Sequence, residues 1–187
     1  MKLPFFTIGH SNRSLEEFIE LLTGAHINRV VDIRTVPRSR ANPQFNEDTL
    51  PDALAAFDIS YEHMAALGGL RGKTQTSPQD VNDFWTNESF HNYADYALSA
   101  QFHAGLKLLL DEGRKRRCAI MCSEAVWWRC HRRIVTDYLI AAGRPFSISW
   151  SRAAWSPLAS LPALSFNLAG RSSIRPRVDR TRDTYPR

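Results

Sequence analysis

The chain has 187 residues, 43% of them hydrophobic, and a formal net charge of +5. This length suits one domain with a substantial core, and no apolar stretch approaches the length of a membrane span. Residues 1–150 carry as many acidic as basic side chains, so the whole excess of positive charge lies in residues 151–187. The net charge is therefore no evidence that the first 150 residues bind nucleic acid.

The N-terminal residues lack the long apolar run and the cleavage pattern of a signal peptide. Three cysteines, an odd number, favour reduced thiols over a disulfide framework. We therefore expect a soluble cytoplasmic protein that makes no membrane contact. Its predicted organisation is a single α/β domain over residues 1–150, followed by a poorly ordered Ser/Pro/Arg-rich tail over residues 151–187.

Strands and helices are predicted to alternate along the first 150 residues. A strand ends at Ile8, and Ser14 with Glu17 has the form of a capping box that begins a helix ending at Gly24. The remaining expected elements are a strand at 29–34, a helix near Thr49, a strand at 59–63, a helix opened by Ser77-Pro78, helical segments to Gly113, a strand at 118–122, a helix from Glu124 to Gly143 and a strand at 144–150. The alternation predicts a three-layer α/β fold, with a mainly parallel sheet of about five strands flanked by helices.

Polar side chains follow three of these strands. The carboxyl ends of parallel strands meet at one edge of a sheet, where ligands tend to bind. A crevice there is expected to hold acid–base groups and positively charged arginine side chains, which suit an anionic ligand. The residues at these strand ends are His10, Asn12, Asp32, Arg34, Cys122 and Glu124, with Arg40 on the loop after the second strand.

Several of these residues have a structural interpretation as well. Asp32 and Arg34 lie two apart on one strand face, so they could simply satisfy each other. His131 borders the apolar face of the predicted helix, where it could be a satisfied core histidine. The arginines at 129, 132 and 133 would share the opposite face, which is more often solvated than phosphate-binding.

Cys122 invites comparison with cysteine phosphatases and sulfurtransferases, in which a strand-end cysteine opens an anion-binding loop. The spacing disagrees, because an arginine six residues later is wanted and Arg129 comes one position late. We therefore interpret Cys122 chiefly as a packing residue and favour a carboxylate over a cysteine for the chemistry. A zinc site is disfavoured too, because adjacent Cys130 and His131 would point apart on a helix, so no metal and no cofactor are predicted.

Short polar motifs also follow one another in a characteristic order. They are Thr7-Ile-Gly-His-Ser-Asn12, Val31-Asp-Ile-Arg34, Pro37-Arg-Ser-Arg40, Tyr61-Glu-His63 with Leu67-Gly-Gly69, Tyr93-Ala-Asp-Tyr96, and Cys122-Ser-Glu124 with Cys130-His-Arg132. In this combination the chain resembles the domain of unknown function 488 family over roughly residues 5–150. The resemblance implies a shared polar site without naming a reaction. By resemblance its recurring polar positions are His10, Asn12, Asp32, Arg34, Arg40, His63, Cys122, Glu124, Cys130, His131 and Arg132.

These observations favour an enzyme acting on a phosphate-bearing ligand, such as a nucleotide or a nucleic-acid end. Glu124 is the expected general acid or base, assisted by His10 and His131. The expected ligand contacts are Asn12, Asp32, Arg34, Arg40, His63, Cys122 and Arg132. The alternative is a non-catalytic module that binds nucleic acid or a protein partner through the arginines and the basic tail.

Overall fold

A six-stranded sheet forms the centre of the molecule. The computed structural model describes residues 2–73, 82–83, 85–151 and 154–157. The strands and helices are β1 (Phe5–Gly9), α1 (Leu15–Gly24), β2 (Arg29–Asp32), α2 (Leu50–Ala55), β3 (Ser60–His63), α3 (Glu88–Tyr96), α4 (Ala100–Lys115), β4 (Cys118–Cys122), α5 (Arg132–Ala141), β5 (Phe146–Ser151) and β6 (Ala154–Pro157). Short 3₁₀ turns cover Pro43–Phe45, Ala65–Leu67 and Trp127–Arg129.

The strand order in the sheet is β3-β2-β4-β1-β5-β6. Strands β1 to β5 run parallel to their neighbours, and β6 is antiparallel to β5. Parallel neighbours need a crossover connection, which the helices between the strands supply. The predicted α/β fold, with a mainly parallel sheet of about five strands flanked by helices, is confirmed.

Two hydrophobic cores cover the two faces of the sheet, because successive side chains of a strand point to opposite faces. In β1, Phe5 belongs to one core and Phe6 to the other. The core around Phe6 receives Phe18 from α1 and Leu54 from α2. The core around Phe5 receives Tyr93, Phe102, Leu106, Ile134 and Leu139 from α3, α4 and α5. The sheet is thus the middle one of three layers.

Helix α1 begins at the predicted capping box. The Ser14 side chain accepts a hydrogen bond from the Glu17 backbone N–H, and the Glu17 carboxylate accepts one from the Ser14 backbone N–H. This reciprocal pair satisfies amide groups that the first turn of a helix leaves free. The helix then ends at Gly24, as predicted.

The predicted helix from Glu124 is wrong over its first eight residues, because α5 begins only at Arg132. Residues 123–131 instead form a loop that crosses the end of β1. There the Glu124 carbonyl oxygen lies so close to Gly9 that a Cβ on Gly9 would be 1.9 Å from it. The Arg132 guanidinium donates to the same carbonyl oxygen. These tertiary contacts hold the loop across the sheet edge where local periodicity predicts a helix.

Some predictions concern residues outside the described ranges. The helix opened by Ser77-Pro78 is one of them, and so is the part of the predicted tail that follows Pro157. Strand β6 comes from the segment that the sequence analysis assigned to the tail, and it pairs with β5. The domain boundary at residue 150 stays a prediction. Across the described ranges, no helix has both the length and the apolar character needed to cross a membrane.

Candidate functional site

The carboxyl ends of β1, β2 and β4 border a cavity of about 480 Å³. The register explains this convergence, since Gly9 pairs with Cys122 and Asp32 pairs with Met121, so the three strands end side by side. Loops after β2, β3 and β4 and helix α3 complete the walls. The polar residues that line the cavity include His10, Arg34, Arg38, Tyr93, Cys122, Glu124, Arg129, Cys130 and His131.

A saturated set of hydrogen bonds lies on the β2 side of the cavity, and we call it the closed network (His10, Asp32, Arg34 and Tyr61). Asp32 is fully buried and accepts from the Arg34 Nη2 at 2.6 Å and from the Tyr61 hydroxyl at 2.7 Å. Burial opposes the charge on Arg34, but the hydrogen bonds and charge of Asp32 outweigh it and raise the guanidinium pKa. Arg34 also donates to the Phe45 carbonyl oxygen at 2.6 Å. The structural interpretation of this pair therefore fits its geometry.

His10 belongs to the closed network and is only 2% exposed. Its Nδ1 lies 3.0 Å from the Ser11 carbonyl oxygen, so this nitrogen carries the hydrogen and donates. Its Nε2 is 3.3 Å from Arg34 Nη1 and accepts from it. Burial, and then the positive charge of Arg34, lowers the pKa of His10, which keeps the imidazole neutral.

The other side of the cavity holds two thiols and an imidazole, which we call the thiol–imidazole cluster (Cys122, Cys130 and His131). The Cys130 Sγ lies 3.4 Å from His131 Nδ1, and the Cys122 Sγ lies within 4.8 Å of both atoms. The His131 Nε2 lies 2.8 Å from the Ile33 carbonyl oxygen. A carbonyl can only accept, so Nε2 carries the hydrogen and Nδ1 faces the sulfurs with its lone pair in the neutral ring.

Protonation within the thiol–imidazole cluster is uneven. A hydrogen bond donated by the Cys122 thiol to the Cys130 sulfur, helped by the nearby Arg132, lowers the pKa of Cys130 to about 6 against the effect of burial. The same hydrogen bond, together with burial, raises the pKa of Cys122 to about 12. The two sulfurs therefore titrate as a coupled pair, in which Cys130 loses its proton more readily than Cys122.

Glu124 and Arg132 have different roles in the loop after β4. Arg132 is 1% exposed and donates to the Thr7 hydroxyl at 3.0 Å as well as to the Glu124 carbonyl oxygen. It therefore fixes the loop rather than facing a ligand. The Glu124 side chain is exposed at the cavity, beside a second concave region of about 570 Å³ that it shares with Arg129.

Five of the predicted ligand contacts do not line the cavity. Asp32 and Arg132 are buried and are not among the residues that border it. Asn12 and Arg40 are exposed, and neither is among the residues that border it. His63 bonds through Nε2 to the Arg34 carbonyl oxygen at 2.8 Å, and its Nδ1 lies 3.7 Å from a Glu47 carboxylate oxygen. Its place is behind the β2 loop rather than in the cavity.

Several residues that border the cavity are not among the ligand contacts predicted from the sequence. Arg38, Arg129 and Cys130 line it, although the sequence predicts a loop at Arg38 and a helix through Arg129 and Cys130, and the family resemblance gives Cys130 only as a recurring polar position. The misplaced helix start explains two of these, because Arg129 and Cys130 precede α5. No capping residue marks its true first turn, since His131 occupies the cap position without a side-chain hydrogen bond. Tyr93 and Gly69 come from distant segments, and although both lie in motifs that carry the family resemblance, neither was predicted to have a site role.

Comparison with known proteins identifies a family. The family model described as domain of unknown function DUF488 matches residues 14–139, about two thirds of the chain. No curated protein and no solved structure gives a significant match. The match contains β2, β3 and β4 and the residues of the thiol–imidazole cluster, and it agrees with the resemblance seen in the sequence motifs. The chain therefore belongs to the DUF488 family.

Proposed function

We propose that the protein is an enzyme that acts on a phosphate-bearing ligand, a nucleotide or a nucleic-acid end, in the cavity at the carboxyl edge of the sheet. The observation that supports this proposal most strongly is the positive charge of the cavity walls. Arg38 and Arg129 line it with exposed side chains, and among the described lining residues Glu124 has the single carboxylate. Guanidinium groups bind phosphate oxygens through charge-assisted hydrogen bonds. A volume of about 480 Å³ is in the range of small-ligand sites.

The two cavity arginines are available because neither is strongly paired. The Arg38 guanidinium approaches Glu47 and Asp48 only to 3.9 and 3.8 Å, with its side chain 63% exposed. Arg129 takes part in no ion pair within the described part of the chain. Arg34, which the sequence analysis favoured as an anion contact, already gives two of its nitrogens to Asp32. We therefore assign phosphate contact to Arg38 and Arg129.

Proton transfer in this proposal is assigned to Glu124, whose carboxylate is exposed at the cavity and has no hydrogen-bond partner among the described residues. His131 and His10 are positioning groups on either side, each held by a backbone carbonyl. A general acid or base must reach the reacting proton within hydrogen-bond distance. The loop after β4 brings Glu124 to the cavity without consuming its side chain.

A thermal-shift screen with nucleoside mono-, di- and triphosphates, sugar phosphates and 5′-phosphorylated oligonucleotides identifies the ligand, because binding raises the melting temperature. Each ligand that raises it is then incubated with the protein and analysed by mass spectrometry for conversion. For such a ligand, Glu124→Gln should keep the thermal shift and lose turnover at least about 100-fold. Full turnover by this variant contradicts the assignment of Glu124.

Binding without conversion of any ligand contradicts the enzyme and favours the alternative, a non-catalytic nucleic-acid or partner-binding module. In that case affinity for oligonucleotides should fall with salt, with a slope set by the number of phosphates contacted. We also propose that the protein works in the cytoplasm. All three cysteines are free and buried, and a reducing compartment preserves them as thiols.

A further inference from the structure

The three atoms of the thiol–imidazole cluster have a separation that suits a shared metal ion. In a tetrahedral zinc site, Zn–S bonds of about 2.3 Å and Zn–N bonds of about 2.0 Å place a sulfur and a nitrogen ligand roughly 3.5 Å apart. The Cys130 Sγ and the His131 Nδ1 are 3.4 Å apart. All three ligand atoms lie within 4.8 Å of one another, so a small inward shift of Cys122 completes the set.

The objection raised by the sequence no longer applies. Cys130 and His131 would diverge on a helix, but they lie in the turn between the 3₁₀ segment Trp127–Arg129 and α5, whose first residue is Arg132. This turn directs both side chains toward Cys122 at the end of β4. The two sulfurs therefore lie close together although the sequence has no Cys-x-x-Cys motif.

An independent observation is the way the His131 ring is held. Its Nε2 hydrogen is donated to the Ile33 carbonyl oxygen at 2.8 Å, which leaves Nδ1 as the free lone pair. Metal-binding histidines are commonly oriented by such a hydrogen bond from the second ring nitrogen. The ring also packs edge-on to Tyr93, with centroids 5.1 Å apart, and against Gly69, where a Cβ would lie 2.3 Å from Nδ1.

The surroundings suit a metal that also takes an exogenous ligand. Cys122 and Cys130 are 5% and 4% exposed, which limits competition from water, yet all three residues line the cavity. Among the described residues the cluster has three members, and His10 is not a fourth because its Nε2 already accepts from Arg34. Three protein ligands with a fourth position open to a cavity is the arrangement of catalytic rather than structural zinc sites.

We propose that Cys122, Cys130 and His131 bind one zinc ion, whose fourth coordination position faces the cavity. Two thiolates and an imidazole are the borderline-soft donors that zinc prefers over magnesium or calcium. Zinc binds cysteine as the thiolate, so its binding releases any remaining thiol proton to solvent. The role of the ion rests on the proposed function: at the open position it would polarise a phosphate oxygen or a water molecule next to Arg129.

The test measures metal content directly. The full chain is purified under a reductant, loaded with zinc, dialysed and analysed by inductively coupled plasma mass spectrometry beside three variants. The wild type and the control Cys118→Ala should retain about one zinc per chain, whereas Cys122→Ala and Cys130→Ala should retain little. Cys118 is the matched control because it is also a buried thiol of β4 but faces the Phe5 core instead of the cavity.

Cobalt replacement keeps the proposal testable if a cluster variant does not fold. Cobalt(II) added to the metal-free wild type should give thiolate charge-transfer absorption and the strong visible bands of tetrahedral coordination, and zinc should abolish both. Absence of this spectrum, or less than roughly 0.2 zinc per wild-type chain after loading, overturns the proposal. So does full zinc retention by folded Cys122→Ala and Cys130→Ala.

These outcomes are separate from those of the proposed function. If the cluster binds zinc but no phosphate ligand changes the melting temperature, the metal site is supported and the proposed function is refuted. If the wild type binds no zinc but nucleotides still raise its melting temperature, the metal site alone is refuted.

Discussion

The closed network and the thiol–imidazole cluster border the same cavity, yet they differ in how far their polar atoms are satisfied. In the closed network, Asp32 accepts from Arg34 and Tyr61, and Arg34 reaches further to a backbone carbonyl. In the thiol–imidazole cluster, the sulfurs and the His131 Nδ1 have chiefly one another. Polar atoms already saturated within the protein hold the fold, whereas unsaturated ones remain available to a ligand. The position of a polar residue at a strand end therefore does not show whether its polar atoms are saturated or available to a ligand.

The largest effect is expected from breaking the closed network with Asp32→Asn. This variant keeps the shape of the side chain but leaves the buried Arg34 guanidinium without its counter-charge. Loss of one partner of a buried ion pair costs about 3–5 kcal/mol of unfolding free energy. Urea unfolding measures it, and Glu62→Gln is the matched control because the Arg29–Glu62 pair is partly exposed and should cost less than about 1 kcal/mol. Equal effects of the two variants would contradict the structural role of the closed network.

A somewhat smaller effect is expected from Gly9→Ala, which tests how the loop after β4 is seated. The new Cβ would lie 1.9 Å from the Glu124 carbonyl oxygen, a backbone atom that cannot rotate away. Forced shifts of packed backbone typically cost about 1–3 kcal/mol. Because this loop carries Glu124 and Arg129, the melting temperature and the ligand response should fall together. Gly24→Ala is the control, since its Cβ would meet nothing within 4 Å. Indistinguishable melting temperatures would refute the close packing.

Asp137 on α5 should give a smaller, pH-dependent effect. Burial raises the pKa of this carboxyl to about 7, against the attraction of Arg133. A folded-state pKa above the unfolded value means that the folded protein loses stability as the pH rises from about 4 to about 7. Asp137→Asn should therefore gain about 1–2 kcal/mol of unfolding free energy at pH 8 and almost nothing at pH 4. A gain of equal size at both pH values would contradict the raised pKa.

The smallest effect is expected from Arg40→Gln. This variant tests whether the ligand contacts only the residues that line the cavity or also Arg40, which the sequence predicts as a contact. Arg40 is exposed and does not border the cavity, so neither melting temperature nor ligand affinity should change beyond error. Affinity is measured by isothermal titration with the best ligand of the thermal-shift screen. A loss of tenfold or more, about 1.4 kcal/mol, would show that the loop carrying Arg40 folds over the ligand.

The fold was largely predictable because its signals are local. The Ser14–Glu17 capping box and the apolar strands at Phe5–Gly9 and Cys118–Cys122 can be read from neighbouring residues, and their alternation indicates a parallel sheet. The predicted crevice brought His10, Arg34, Cys122, Glu124 and His131 to one cavity. Saturation of the Asp32–Arg34 pair depends on Tyr61 and Phe45, which are distant in sequence. The late start of α5 depends on a contact between Arg132 and Glu124 that no periodicity reports.

We propose that Arg38 and Arg129 in the cavity, and not the closed network, bind the phosphate-bearing ligand. Isothermal titration of that ligand into Arg129→Gln tests it most directly, with Arg114→Gln on the distant end of α4 as the control. We expect at least about a tenfold loss of affinity in Arg129→Gln, an unchanged affinity in the control, and unfolding free energies within about 0.5 kcal/mol of the wild type in both. An Arg129→Gln variant that binds as tightly as the wild type would contradict it.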